Sequence, residues 1–254
     1  MVGIMLLLCS IMPFTACTST EDEPYKPETE QPSDDPNNNE EEDNDTTPVY
    51  GHLTTANTVS DVVNHEAFNE FGRFILPAER SYNVNMTLQN VASMLPYHNY
   101  ITGERAVETI NTMVDYVHDG NTLFYDIYSD ADKQADSRKN NTGLFFFRGE
   151  PGKPFAIVCP GGGFSYVGAI HEGFPLAIAL SKMGYNAFSI QYRTGGAQVA
   201  CEDLAGAIDF IMRHAEELQV STDDYSLWGG SAGARMAAYL GSYGTQGFIS
   251  AVHP

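Results

Sequence analysis

From residue 104 onward the apolar positions fall into a rhythm. Val107, Ile110, Met113, Val114 and Val117 recur at helical spacing and predict an amphipathic helix that Asp119-Gly120-Asn121 ends. "TLFYDIY" (122–128) and "GLFFF" (143–147) have strand composition and are joined by the polar "SDADKQADSRKNNT". "PFAIVCP" (154–160) is a continuous apolar run bounded by Pro and Gly, the pattern of a strand buried on both faces. "HEGFPLAIALSKMG" (171–184) predicts a helix with Pro175 in its first turn and Gly184 as its stop. "NAFSIQY" (186–192) reads as a second buried strand. Leu204, Ala207, Ile208, Ile211, Ala215 and Leu218 mark a helix with a charged outer face. "DYSLWGG" (224–230) predicts a third strand with a buried end, and Ser231 opens a further helix.

Strand, helix, strand, helix, strand, helix from Phe155 onward predicts an α/β fold. Its sheet is mostly parallel, with helices on both faces, two more strands ahead of it, and sites at the carboxyl ends of the strands. Residues 121–254 carry this pattern, which reads as incomplete at the C-terminus. Residues 51–120 read as an N-terminal extension or cap, partly helical: "HEAFNEFGRFILPAER" (65–80) suggests a short helix leading into Pro77, and "SMLPYHNY" (93–100) a loop. At 254 residues there is material for one α/β domain with a sizeable core, and no internal repeat is visible.

Charge separates the first 50 residues from the rest. The chain carries a formal −20, but between Cys17 and Thr47 twelve acids face one base, Lys26, leaving −9 for everything else. Such a field repels nucleic acid and anionic lipid. Residues 18–50 hold almost no apolar side chains, so they cannot offset their ordering entropy and are expected to form an extended acidic tether. Ahead of it, "MVGIMLLLCSIMPFTAC" (1–17) is too short to span a bilayer and suits the core of a signal peptide. Small residues before Cys17 resemble a bacterial lipobox, although no Lys or Arg precedes the apolar run. By that resemblance Cys17 is lipidated, and Thr18, not being Asp, leaves outer-membrane attachment facing the periplasm or the exterior as the expectation. Cys159 and Cys201 sit in apolar surroundings and read as buried free thiols in preference to a disulfide. No Cys/His spacing resembles a metal site, and no cofactor is implied.

Two glycine-rich stretches carry the candidate chemistry. Gly229-Gly230-Ser231-Ala232-Gly233 fits G-x-S-x-G, placed between a strand and a helix. So tight a turn strains the serine, and side chains at the flanking positions would collide with strand and helix. The N–H of Ala232 would point where an oxyanion forms, assisted by the helix N-terminus. Pro160-Gly161-Gly162-Gly163-Phe164 follows the buried strand, and three glycines there let backbone N–H groups converge on one point. The plainer alternatives are a packing turn with an incidental serine and a phosphate-cradling loop. No Lys follows as in a P-loop, and no G-x-G-x-x-G starts at Gly161. Together the two motifs resemble the α/β-hydrolase fold, near its hormone-sensitive-lipase-like and acetyl-esterase branch, with Pro160 where the HGGG-type loop has His. The resemblance covers residues 120 to 254. It implies Ser231 as nucleophile, the N–H groups of Gly162, Gly163 and Ala232 as the oxyanion hole, and cleavage of an ester through an acyl-enzyme. Phe164, His171 and Arg193 are possible pocket residues, and Glu172 follows the loop. Arg193 more readily pairs with an acid such as Glu202 or Asp203.

In this fold the acid and the histidine follow the serine. After Ser231 the sequence holds no Asp or Glu and one His, His253. The expectation is a C-terminally truncated chain with little turnover of its own, with a dyad recruiting His171 as the lesser alternative. The substrate implied is a small-molecule or carbohydrate-linked ester. A serine peptidase of the same fold and a non-catalytic surface-binding lipoprotein remain as other readings.

Overall fold

The computed structural model describes residues 51–77, 79–94 and 101–248. The signal, the tether, most of the 93–100 loop, His98 and His253 lie outside the described residues. No described helix is long and apolar enough to cross a membrane.

The chain enters through α1 (Val59–Val63), which Thr58 and Asp61 close with a capping box, and continues through two 3-10 turns, Asn69–Phe74 and Leu88–Met94. Next comes α2 (Gly103–His118), capped by Thr102 and burying Ala106, Ile110, Met113 and Val114. β1 is only Phe124–Tyr125. The polar connection that follows forms α3 (Asp130–Ala135), started by a capping box between Ser129 and Asp132, and a 3-10 turn, Ser137–Asn141. β2 (Gly143–Phe147) and β3 (Pro154–Cys159) lie where the apolar runs predict them. A single π-helical turn, Ala169–Gly173, leads into α4 (Phe174–Lys182), with Pro175 in its first turn. β4 (Asn186–Gln191), α5 (Ala197–Arg213), α6 (Ala215–Leu218), β5 (Ser221–Gly229) and α7 (Ser231–Tyr243) complete the described order.

The five strands form one sheet in the order β1-β2-β4-β3-β5. β3 runs parallel to β4 and β5, whereas β2 is antiparallel to both β1 and β4. The sheet is thus mixed, and its parallel half is the half that ends at the two glycine motifs. Neighbouring side chains on a strand face opposite ways, so β2 reports what covers each side. Phe145 meets Phe174 of α4 edge-on at 4.6 Å and also meets Phe71 and Phe124. Phe146 stacks on Phe188 of β4 at 4.3 Å, and Tyr125 beside it reaches Phe210 of α5. Helices therefore cover both faces. The N-terminal segment lies on the α4 face, within the same core as the sheet.

Four expectations change, the first being that the helix expected through Ala215 and Leu218 breaks at His214 into α5 and α6. The strand expected over 122–128 shrinks to two residues, because its flanks enter turns and the cap of α3. The helix expected from 171 begins at Phe174, after the π turn. The third strand is not buried at its end: β5 has β3 as its one described neighbour, Trp228 is 42% exposed, and Gly229 and Gly230 are exposed. Cys159 and Cys201 are free and buried, as expected.

Phe188 is fully buried at the centre of the aromatic layer, against Phe146 and Phe155. Phe188→Ala is expected to cost about 3–5 kcal/mol. Urea unfolding checks this, and a loss below about 1 kcal/mol would show that the layer repacks freely.

Candidate active site

β3 and β5 run side by side and in the same direction, with Cys159 level with Gly229. Their carboxyl ends therefore deliver Pro160–Phe164 and Gly229–Gly233 to one place. The junction is closed by backbone contact: a Cβ on Gly233 would collide with the carbonyl oxygen of Cys159 and stand 2.8 Å from that of Pro160. A Cβ on Gly229 would in turn meet the carbonyl of Gly233 at 2.7 Å. Only glycine lets α7 leave the strand at this angle.

Ser231 sits at the turn with φ +49°, in the left-handed region that a non-glycine residue occupies at a cost of about 1–3 kcal/mol. Its side chain is exposed. It opens a 13-residue helix, so the Ala232 N–H belongs to a first turn whose donors have no intrahelical partner. The strain and the exposure occur together at the residue whose hydroxyl the sequence singles out.

The facing loop is equally constrained. Gly162 has φ +138°, and a Cβ there would collide with the Tyr166 carbonyl oxygen. The loop closes on itself through Gly168 N–H to the Gly161 carbonyl at 2.9 Å, and through Ser165 N–H to the Gly162 carbonyl at 3.0 Å. The buried Tyr192 hydroxyl donates to the Pro160 carbonyl at 2.7 Å. Gly161 donates its N–H to the carboxylate of Glu172. Phe164 also has a positive φ, +59°; it is buried, 6.4 Å from Tyr192, and the Arg235 guanidinium of α7 lies over its ring at 5.6 Å. That contact ties the loop to the first turns of the helix behind Ser231.

The structure brings together Ser231, Ala232, the triple-glycine loop, Gly229, Gly230 and Gly233. A trough of about 310 Å³ beside them is lined by Val158, His171, Glu172, Pro175, Leu176 and Gly230, among others. His171 is buried, its ring against Gly168. Arg193 is held elsewhere, in a buried ion cluster. It binds Asp203 through Nε at 2.9 Å, Asp136 at 3.0 Å and Glu202 at 3.3 Å, while Tyr128 donates to Asp203 at 2.7 Å. Burial works against the Arg193 charge, but the bonds to Asp203 outweigh it and push the pKa up. Its geometry is that of a strut between β4, α5 and the 3-10 turn after α3.

Sequence reasoning missed Glu79. It reaches from the N-terminal segment to accept from Gln191 Nε2 at 3.0 Å, while Arg80 lies over the Tyr166 ring at 5.0 Å. The contact with Tyr166, whose carbonyl faces Gly162, braces the triple-glycine loop from outside. Nothing local in "LPAER" signals either contact, because the partners lie about a hundred residues away.

Residues 148–251 match the BD-FAE family. The family is an α/β-hydrolase-like esterase family, and the matched region contains both glycine motifs and the serine. The chain is also similar to solved structures over part of its length. A sugar hydrolase from Lactococcus lactis is 26% identical, with 39% of this chain and 42% of that chain covered at a TM-score of 0.36. An acetyl ester-xyloside bifunctional hydrolase from Caldicellulosiruptor lactoaceticus is 25% identical, with 39% and 38% covered at a TM-score of 0.37. The chain thus spans about two fifths of the length of these structures. No curated protein matches the sequence.

Glu79 is exposed as a residue, but partial desolvation of its carboxyl pushes the pKa up from 4.5, and hydrogen bonding, including that from Gln191, offsets this only in part. A pKa raised on folding contributes stability that is complete below the unfolded value and lost as pH climbs through the folded one. Glu79→Gln removes that loss. The melting temperature of the variant minus that of wild type is expected to grow between about pH 4 and pH 7; a difference flat with pH contradicts the assignment. Gly233→Ala forces the start of α7 away from Cys159 and is expected to destabilise by about 2 kcal/mol or more, measured by thermal unfolding.

Proposed function

We propose that this chain carries the nucleophile and oxyanion hole of a serine esterase. The observation behind the reading is Ser231: an exposed serine at φ +49°, at a strand-to-helix turn packed on a triple-glycine loop. In the reaction Ser231 Oγ attacks the ester carbonyl and loses its proton to a base, and the carbonyl oxygen takes up the negative charge. The N–H groups of Gly162, Gly163 and Ala232 donate to that oxygen. The intermediate expels the alcohol, and water releases the acid from the acyl-enzyme. The match to an esterase family, and the resemblance to hydrolases that act on acetyl ester-xyloside and sugar substrates, favour small acyl or carbohydrate-linked esters.

A fluorophosphonate probe is expected to label the protein on Ser231, with labelling reduced to background in Ser231→Ala. Labelling of Ser231→Ala as strong as that of wild type shows that the probe reads another residue and supports a non-catalytic binding protein instead. Where the protein turns over p-nitrophenyl acetate, an aminoacyl p-nitroanilide is expected to react on the order of 100-fold more slowly; the reverse preference makes it a peptidase. We also propose that Cys17 carries lipid and the acidic segment spaces the enzyme from an outer membrane. Metabolic labelling with a palmitate analogue, lost in Cys17→Ser, checks that location.

A further inference from the structure

Both halves of the candidate site rest on one side chain, Glu172. Its carboxylate accepts the Gly161 N–H at the start of the oxyanion loop. A Cβ on Gly230, in the elbow, would stand 2.9 Å from the same oxygen, Oε2. A Cβ on Gly161 would stand 2.8 Å from that oxygen and 3.0 Å from the Cβ of Ser231. One carboxylate oxygen therefore fills the angle between loop and elbow, and neither glycine could be replaced without displacing it. Glu172 reaches this point from the π turn Ala169–Gly173, a rare conformation that recurs at functional sites. The turn is tied to the loop in its own right: Glu172 N–H donates to the Gly168 carbonyl at 2.9 Å, and Gly168 N–H donates to the Gly161 carbonyl at 2.9 Å.

A carboxylate beside the place where an oxyanion forms opposes that charge, so its position calls for a compensating role. Charge-assisted bonds from backbone N–H groups are the strong ones, about twice as strong as neutral bonds. We infer that Glu172 is a positioning residue: by taking the Gly161 N–H it keeps that donor out of the oxyanion hole and fixes the Gly162 and Gly163 N–H groups against the Ser231 elbow. The catalytic consequence rests on the esterase reading; the structural one stands without it.

Glu172→Gln keeps an acceptor for the Gly161 N–H, and Glu172→Ala removes it. Hydrogen exchange over residues 159–168 in the full chain reads the bond directly, with β2 to β4 as the folding control. Glu172→Ala is expected to speed exchange at Gly161 by about tenfold or more, with the sheet unchanged, and Glu172→Gln to stay within about threefold of wild type. Turnover is expected to follow: a fall in kcat of roughly 10- to 100-fold in Glu172→Ala with KM nearly constant, and substantial rescue in Glu172→Gln. Exchange at Gly161 unchanged in Glu172→Ala, or lost equally in both variants, overturns the inference. Exchange that responds as expected in a protein whose probe labelling does not depend on Ser231 upholds the positioning role and removes the esterase reading.

Discussion

The whole site depends on backbone packed directly on backbone. Where Gly233 passes the carbonyls of Cys159 and Pro160 there is no room for a Cβ. That approach sets the angle at which α7 leaves β5, and with it the left-handed conformation of Ser231 and its exposure. It also holds the triple-glycine loop, which begins at Pro160, within reach of the elbow. Because β3 and β5 are parallel neighbours with Cys159 level with Gly229, the two motifs meet without any long side chain bridging them. Rigid geometry of this kind suits a site that must present donors before a charge develops, since little reorganisation then accompanies reaction.

Around that contact the chain adds braces that differ in chemistry. Tyr192, just past β4, holds Pro160, Arg235 covers Phe164 from α7, and Glu79 and Arg80 of the N-terminal segment hold Gln191 and the Tyr166 ring. The last of these makes residues 51–94 part of the support of the site. Phe71 and Phe74 pack that segment on Phe124 and so join it to the core of the sheet. The cluster of Arg193 with Asp203, Asp136 and Glu202 does comparable work, joining elements distant in sequence through a buried Arg193–Asp203 pair and two partly buried acids.

The central strands were legible because they are continuous apolar runs between turn residues: "GLFFF" is β2, and "PFAIVC" is β3. The elbow and the loop were legible because glycine is obligatory where backbones touch, and that requirement is written in single letters. What the sequence hid is relational. "DYSLWGG" reads the same whether a strand is central or at an edge, yet β5 lies at the edge of the described sheet with Trp228 exposed. The π turn before α4 has no periodic signature in five residues. Glu79 stands in an unremarkable polar stretch, and its importance comes from Gln191, far along the chain. Arg193 was legible as a paired charge, but its third partner, Asp136, came from a connection that composition alone marks as polar loop.

The central claim is that Ser231 and the N–H groups of Gly162, Gly163 and Ala232 converge on one reacting carbonyl. A crystal structure of the protein after reaction with a small fluorophosphonate tests it most directly, because the phosphonyl oxygen stands where the oxyanion would. The account predicts phosphorus bonded to Ser231 Oγ, with that oxygen about 2.7–3.1 Å from the three donors. An unmodified Ser231, or a phosphonyl oxygen turned to solvent away from the glycine loop, would contradict it.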